Sequence, residues 1–346
     1  MSPAPKKIGL IGLSAKGSKH SAETAAKQFS LGSVATYDNP ISIANDPNVD
    51  IVAVSVNVPE HYDLIKPALE AGKDTFAEWP LARNLKDAEE LTSLAKSKGV
   101  RTLIGLQARQ NPTVIKAKQM VESGKLGKII GTDIYAHGFF FGPVVPENLL
   151  YSTPIENGAN LLTIPFGHTI DALCFILGEM DSLSATLSNH YPEQTIIGAD
   201  GKPSGGKANK TAHDYISITG TTIGGANVDV TFASGASRTG RNFYWEINGT
   251  EGSLVMKADM GIPQMYQPSL EYFDNEGKTE QVEVEKAGDF DKGDFSFNVG
   301  KAWEAWAGVG LDQGYSVTTF EDALLRHKMI DAIYRSAEKG TRERYL

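Results

Sequence analysis

The first apolar run of the chain, Lys7 to Leu13 (KIGLIGL), predicts a short strand leading into a turn, Gly12-Leu13-Ser14-Ala15-Lys16-Gly17. A stronger run follows: Val49, Ile51, Val52, Val54, Val56 and Val58 form an almost continuous β-branched series. Such a series reads as a parallel strand buried on both faces. From Glu60 to Ala71 the period changes, with Tyr62, Ile65, Ala68 and Leu69 at helical spacing and Gly72 as the residue that tolerates a left-handed end. Asp74 to Ala77 is strand-like again and delivers Glu78-Trp79-Pro80 to the carboxyl end of the sheet. Val49 to Ala82 is thus one β-α-β unit, and ligands of open α/β sheets bind at such strand ends.

The same rhythm continues with a helix from Asn84 to Lys98, capped by Asn84 and closed by Gly99, then a strand from Arg101 to Leu106. A helix over Pro112 to Glu122 and a turn at Gly124-Lys125-Leu126-Gly127 follow. From Ile129 the period drops to two. Ile130 to Ala136, Leu183 to Asn189, Tyr215 to Thr221, Ala226 to Phe232 and Phe243 to Asn248 read as strands, with a late hairpin turning at Asn275-Glu276-Gly277. Gly198 to Asn209 reads as a long loop, Asn157 to Leu177 as an apolar helix, and Phe320 to Lys339 as a terminal helix with Thr319 and Asp322 at capping-box spacing. The fold class is an α/β Rossmann-type nucleotide-binding domain plus an α+β domain with a large, mostly antiparallel sheet. The expected boundaries are 1–127, 128–318, and 319–346 for a helix returning to the first domain.

One piece of the first pattern is missing. After Gly17 a dinucleotide fold needs a helix, a second strand and a residue about 20 positions on that reads the ribose 2′ position. Lys19 to Phe29 is a single helix, and only Ser33 to Tyr37 is strand-like after it. Removing a helix and a central strand exposes core, which favours a segment missing from the sequence after Ser18 over a deletion. Without that segment the sequence does not choose between NAD and NADP.

Composition narrows the function classes. At 346 residues two domains are the natural expectation. With 33 basic against 42 acidic residues and a net charge of −9, no basic block offers a nucleic-acid surface. The single cysteine, Cys174, excludes an internal disulfide and points to a reducing compartment. No apolar run reaches about 18 residues, so no membrane partner is expected and a cytoplasmic protein is. His20, His137, His190, His213 and His327 have no metal-ligand spacing.

His61, then Ala68-Leu69-Glu70-Ala71-Gly72-Lys73, then Glu78-Trp79-Pro80 resemble the signature of the glucose-fructose oxidoreductase and inositol dehydrogenase (Gfo/Idh/MocA) family. His168-Thr169-Ile170-Asp171 and the joint at Ser123-Gly124-Lys125-Leu126-Gly127 resemble it too. Two positions depart: Trp79 stands where the family usually has its catalytic lysine, and Ile164 where it commonly has an aspartate. The resemblance implies that Gly12, Ser14, Ala15, Gly17, Val56, Asn57, His61, Glu78, Trp79 and Gln107 hold NAD or NADP, with Glu78 on the nicotinamide ribose. It also implies a sugar-like substrate and a homodimer through the second-domain sheet.

His168 can pass a proton to or from a substrate hydroxyl; the plain alternative is a core histidine bonded to Asp171 or to backbone. With Trp79 carrying no charge, Tyr151 or Arg109 would supply the missing donor. Glu78-Trp79 with Leu81-Ala82, Phe166 to Asp171, and Asn189 with Pro192-Glu193-Gln194 resemble a branch of the family known from yeasts, the galactose-regulon repressors. These are regulators that grip a protein partner, and such a role allows a nuclear location. Two functions therefore stand open: a sugar, polyol or ketone oxidoreductase, and a nucleotide-binding regulator without turnover.

Overall fold

The computed structural model describes residues 5–12, 19–138, 140–286, 288 and 296–346. The chain divides into two compact units, Met1–Gly105 with Thr318–Leu324, and Leu106–Val317 with Leu325–Leu346.

In the first unit, β1 (Ile8–Ile11), β2 (Ile51–Val54), β3 (Asp74–Glu78) and β4 (Thr102–Gly105) form an all-parallel sheet in the order β1-β2-β3-β4. α1 (Lys19–Gln28), α2 (Pro40–Ala44), α3 (His61–Glu70) and α4 (Leu85–Lys98) connect them. Val52, Val54, Ile65, Leu69, Phe76, Leu91 and Leu103 are almost wholly excluded from water, each worth about 1.5–3 kcal/mol. The α4 cap is as the sequence predicts: the Asn84 side chain accepts from Asp87 N, and Gly99 closes the helix at φ 63°. Ahead of α8 (Phe320–Lys339) the Thr319 N–H donates to Asp322 and the Asp322 N–H to Thr319 Oγ1.

Ser33–Tyr37 is not a strand, so no strand intervenes between β1 and β2 among the described residues. β1 consequently lies at the sheet edge, with Ile8 and Leu10 53% and 45% exposed. Ser14, Ala15, Gly17 and the junction after Ser18 lie outside the described residues.

The second unit is built on an eight-stranded sheet with the order β15-β14-β13-β12-β5-β11-β10-β7. In chain order these are β5 (Ile129–Gly138), β7 (Met180–Ser188), β10 (Tyr215–Thr222), β11 (Asn227–Ser234), β12 (Phe243–Gly249), β13 (Gly252–Ala258), β14 (Ser269–Asp274) and β15 (Thr279–Gln281). All pairings are antiparallel except β11 with β5. One face carries Ile216, Ile218, Val228, Val230, Ile134, Trp245 and Leu254, all buried, and the strict alternation follows from the two-residue period. The stretch read as a loop at Gly198 to Asn209 is largely ordered instead. β8 (Glu193–Ile197) and β9 (Pro203–Asn209) form a hairpin with β6 (Val144–Pro146) alongside β8. Among the described residues α5 (Pro112–Glu122), α6 (Pro165–Leu177) and α7 (Phe297–Trp306) are the α-helices lying wholly within this unit. α6 starts later than its apolar pattern implies, because Gly158 takes φ 63° and Asn160 Oδ1 accepts from the Leu162 and Thr163 amides in a turn of its own. Among the described residues no helix is long and apolar enough to cross a membrane.

Candidate functional site

The candidate residues of the first unit gather at the carboxyl ends of its parallel strands. Gly12 ends β1 at φ 125°, and a Cβ there would lie 1.9 Å from the Ser55 carbonyl oxygen. Only glycine fits this close approach of two backbone segments. Val56 is half-buried and Asn57 exposed, the latter opening the short turn before α3 without a bond from its side chain.

His61 is fully buried, with Nδ1 2.8 Å from the Pro80 carbonyl and Nε2 3.1 Å from the Val56 carbonyl. A neutral imidazole donates to one of two such acceptors, not both. Burial outweighs these carbonyls and keeps the ring's pKa below its ordinary value. His61 thus ties the loop after β2 to the loop after β3 and offers nothing to a ligand. Trp79 is 4% exposed and joined to Pro80 by a cis peptide bond. Its indole is part of the packing of the unit.

Glu78 differs from its neighbours. Its side chain is only partly exposed, and its carboxylate has neither a hydrogen bond nor an ion pair among the described residues. Burial pushes it up to about 7. The Gly105 partner in β4 makes the room: a Cβ there would fall 2.5 Å from Glu78 Oε2.

In the second unit, Gln107 and Arg109 belong to the turn Gln107–Gln110, and His168 and Asp171 to α6. Pro165 in the first turn of α6 suits the fixed proline φ, and apolar residues on every side leave the helix buried all round. Gln107 is 9% exposed, and its Oε1 is buried without a hydrogen-bond partner. Arg109 grips Asp171 with two bonds, Nε to Oδ2 at 2.8 Å and Nη2 to Oδ1 at 2.7 Å. Its guanidinium also lies over the Phe175 ring. Arg109 is therefore committed to holding α6.

His168 is 5% exposed, and its Nδ1 has no hydrogen-bond partner. Burial lowers it to about 3, so the ring is neutral at any physiological pH. The bond to Asp171 that a core histidine would make is absent, since Asp171 is taken by arginines. Tyr151, on the turn Glu147–Ser152, is half-buried, makes no bond through its hydroxyl among the described residues, and is raised above its ordinary value by burial.

The sequence reading missed the group beneath Asp171. Arg326 of α8 is 1% exposed and pairs with Asp171 at 3.7 Å and with Glu179. Its Nη1 is 2.9 Å from Cys174 Sγ, and the Tyr345 hydroxyl donates to Glu179 at 2.7 Å. Burial acts to raise the Glu179 carboxyl, but the Arg326 guanidinium beside it, with the bonds from Arg326 and Tyr345, holds it below its ordinary value. Burial also pushes the Cys174 thiol up to about 12, so it is an inert part of this core. A signal existed in the sequence: Arg326 falls within the apolar stripe of Ala323, Ile330 and Tyr334. No group of three or more His, Cys, Asp or Glu able to hold a metal occurs among the described residues.

Residues 5–106 match the model of an oxidoreductase family with an NAD-binding Rossmann fold, and residues 112–258 the model of the Gal80p C-terminal domain. Dehydrogenase aclE of Aspergillus oryzae is 33% identical over 326 residues, covering 93% of this chain and 86% of that protein. The chain belongs to the Gfo/Idh/MocA oxidoreductase family. Within this family it is also similar to the galactose/lactose metabolism regulatory protein GAL80 of Saccharomyces cerevisiae, at 27% identity over 91% of this chain and 82% of that protein. The solved structure of the transcriptional regulator Gal80p from Kluyveromyces lactis matches with a TM-score of 0.85 at 26% identity, covering 99% of this chain and 91% of that one. Levoglucosan dehydrogenase, solved with NADH and L-sorbose, shares the fold with a TM-score of 0.78, covering 99% of this chain and 90% of that one at 22% identity.

Proposed function

We propose that this chain is an NAD(P)-dependent oxidoreductase moving hydride to or from a CH–OH or C=O carbon of a sugar, polyol or similar ketone. The observation that carries the reading is Glu78, an unpaired carboxyl at the ends of the parallel strands, in a chain 33% identical to a dehydrogenase. A dinucleotide fits this corner. Gly12 lets the end of β1 close on the Ser55 carbonyl, Val56 and Asn57 follow the end of β2, and Glu78 is an acceptor free for a ribose hydroxyl. Bound there, the nicotinamide supplies the hydride chemistry; the protein supplies binding and orientation.

The second unit serves the substrate. His168 stays neutral and gives the substrate hydroxyl a hydrogen-bonding partner through a ring whose Nδ1 is unclaimed. Tyr151 carries the free hydroxyl that replaces the missing lysine as donor. Arg109 takes no part in proton transfer and holds α6 in place. A second copy of the chain is proposed on the polar face of the eight-stranded sheet.

A specific observation favours the second reading, a nucleotide-binding regulator without turnover. Trp79 is buried where a charge would be needed, His168 is sealed in, and a regulator from Kluyveromyces lactis shares the fold over nearly the whole chain. One experiment separates the two: NADH and NADPH binding followed by fluorescence, then absorbance with a panel of sugars and ketones. Turnover that falls about 100-fold or more in His168→Ala establishes the enzyme with His168 in it. Tight binding with no turnover over the whole panel establishes the regulator.

A further inference from the structure

The corner at the end of β3 contains a carboxyl that the fold leaves uncompensated. Among the described residues Glu78 makes no hydrogen bond or ion pair, and no charged side chain contributes to its titration. Its described surroundings account for this. From β4 the facing residue is Gly105; from β2 the register brings Val54 against Ala77; and of the titratable groups of α3, His61, Tyr62, Asp63, Lys66 and Glu70, none contributes to Glu78, the His61 ring facing the Pro80 and Val56 carbonyls and being kept neutral by burial. Lys66 and Glu90 are paired with each other at 2.7 Å. An acceptor held away from water without a donor favours its protonated form.

A ligand that brings hydroxyl donors reverses that preference, because an ionised carboxyl accepts such bonds and they are stronger than those to a neutral acid. We propose that Glu78 couples nucleotide binding to proton release: the empty corner holds the carboxylic acid, and a ribose hydroxyl of the dinucleotide takes up the carboxylate. The proton leaves Glu78 for solvent as the hydroxyl donates to the vacated oxygen, with no change in redox state. The inference rests on the reading of this corner as a nucleotide site and adds its regulation: affinity rises with pH through the neutral range.

NADH is the suitable probe, since the 2′-phosphate of NADPH itself titrates near pH 6. Affinity of the full chain for NADH is measured from pH 5.5 to 8.5, together with proton release by calorimetry in buffers of different ionisation enthalpy. The expected result is a rise approaching tenfold per pH unit below neutrality that levels off above about pH 7.5. In Glu78→Gln the rise disappears and no proton is released. Binding by the wild type that is flat with pH, or a slope that persists in Glu78→Gln, overturns the coupling alone. Absence of NADH binding at every pH overturns both the coupling and the functional reading beneath it. A carboxyl band that titrates near neutrality in the infrared spectrum of the ligand-free wild type and is missing from folded Glu78→Gln supports the coupling; a wild-type band already ionised at pH 5.5 overturns it.

Discussion

Asp171 and Glu78 are both carboxyl groups removed from bulk water, one in each unit, and their surroundings are opposite. Asp171 has no exposed surface and is gripped by Arg109 and approached by Arg326, which in turn engages Glu179, itself bonded by Tyr345. Every charge there has a partner within the protein. Glu78 has none among the described residues, and the neighbouring strand offers a glycine where a partner could stand. A cluster compensated from within stabilises α6 and α8; a carboxyl left uncompensated marks the place where the partner is to come from outside. Charge alone does not distinguish structural from functional residues here; the identity of the partner does.

The comparison breaks first at Arg326. Arg326→Ala leaves the half-buried Glu179 with the Tyr345 bond alone and the fully buried Asp171 with one arginine, and should cost about 3–5 kcal/mol in urea unfolding. A loss below about 1 kcal/mol would mean that this cluster is not what holds the two helices. Glu78→Gln should act in the other direction. Because the folded carboxyl is raised to about 7 from its ordinary value of 4.5, the folded state binds the extra proton. Stability contributed by the protonated group is therefore lost as pH rises from about 4.5 to 7, by up to about 3 kcal/mol. The glutamine variant should lack that decline and be more stable than wild type at pH 8, which paired unfolding curves at pH 5 and pH 8 would show. A smaller loss is expected for Arg109→Lys: the charge stays, the two-pronged grip on Asp171 does not, and about 1–2 kcal/mol is lost.

The parallel sheet of the first unit was legible because its strands carry their burial in composition: Val52 and Val54, or Phe76 and Ala77, have no polar face to confuse with another period. The caps were legible for the same local reason, as Asn84 and the Thr319–Asp322 pair show. Less could be read where a residue's role depends on a partner far along the chain. Arg109 looked like a free donor, yet its partner is Asp171, 62 residues on. His168 and Asp171 share a helix turn and look like a pair, but two arginines claim the acid and leave the histidine sealed without it. The β8–β9 hairpin was hidden by its glycines, which read as a loop until the pairing of Glu193 with Asn209 is seen. Glu78 was visible as a position, while its lack of a partner was not, since no local pattern records an absence.

The finest test of the contrast is a single methyl group at Gly105. Replacing Gly105 by alanine places a Cβ 2.5 Å from Glu78 Oε2, too close for either to stay, and the carboxylate is the end that can turn. The same substitution leaves the charge of the corner unchanged, because Glu78 is still present. If the uncompensated carboxyl is what a hydroxyl-bearing ligand meets, displacing it should weaken NADH binding by about tenfold, or about 1.4 kcal/mol, for the loss of one charge-assisted hydrogen bond. Stability should change by less than about 1 kcal/mol, since a flexible side chain absorbs the clash. The double variant Gly105→Ala with Glu78→Gln should then bind no more weakly than Glu78→Gln alone, as both substitutions act through one contact. Additive losses in the double variant would instead show that Gly105 serves the nucleotide directly, and that the space beside Glu78 is not held for its carboxyl.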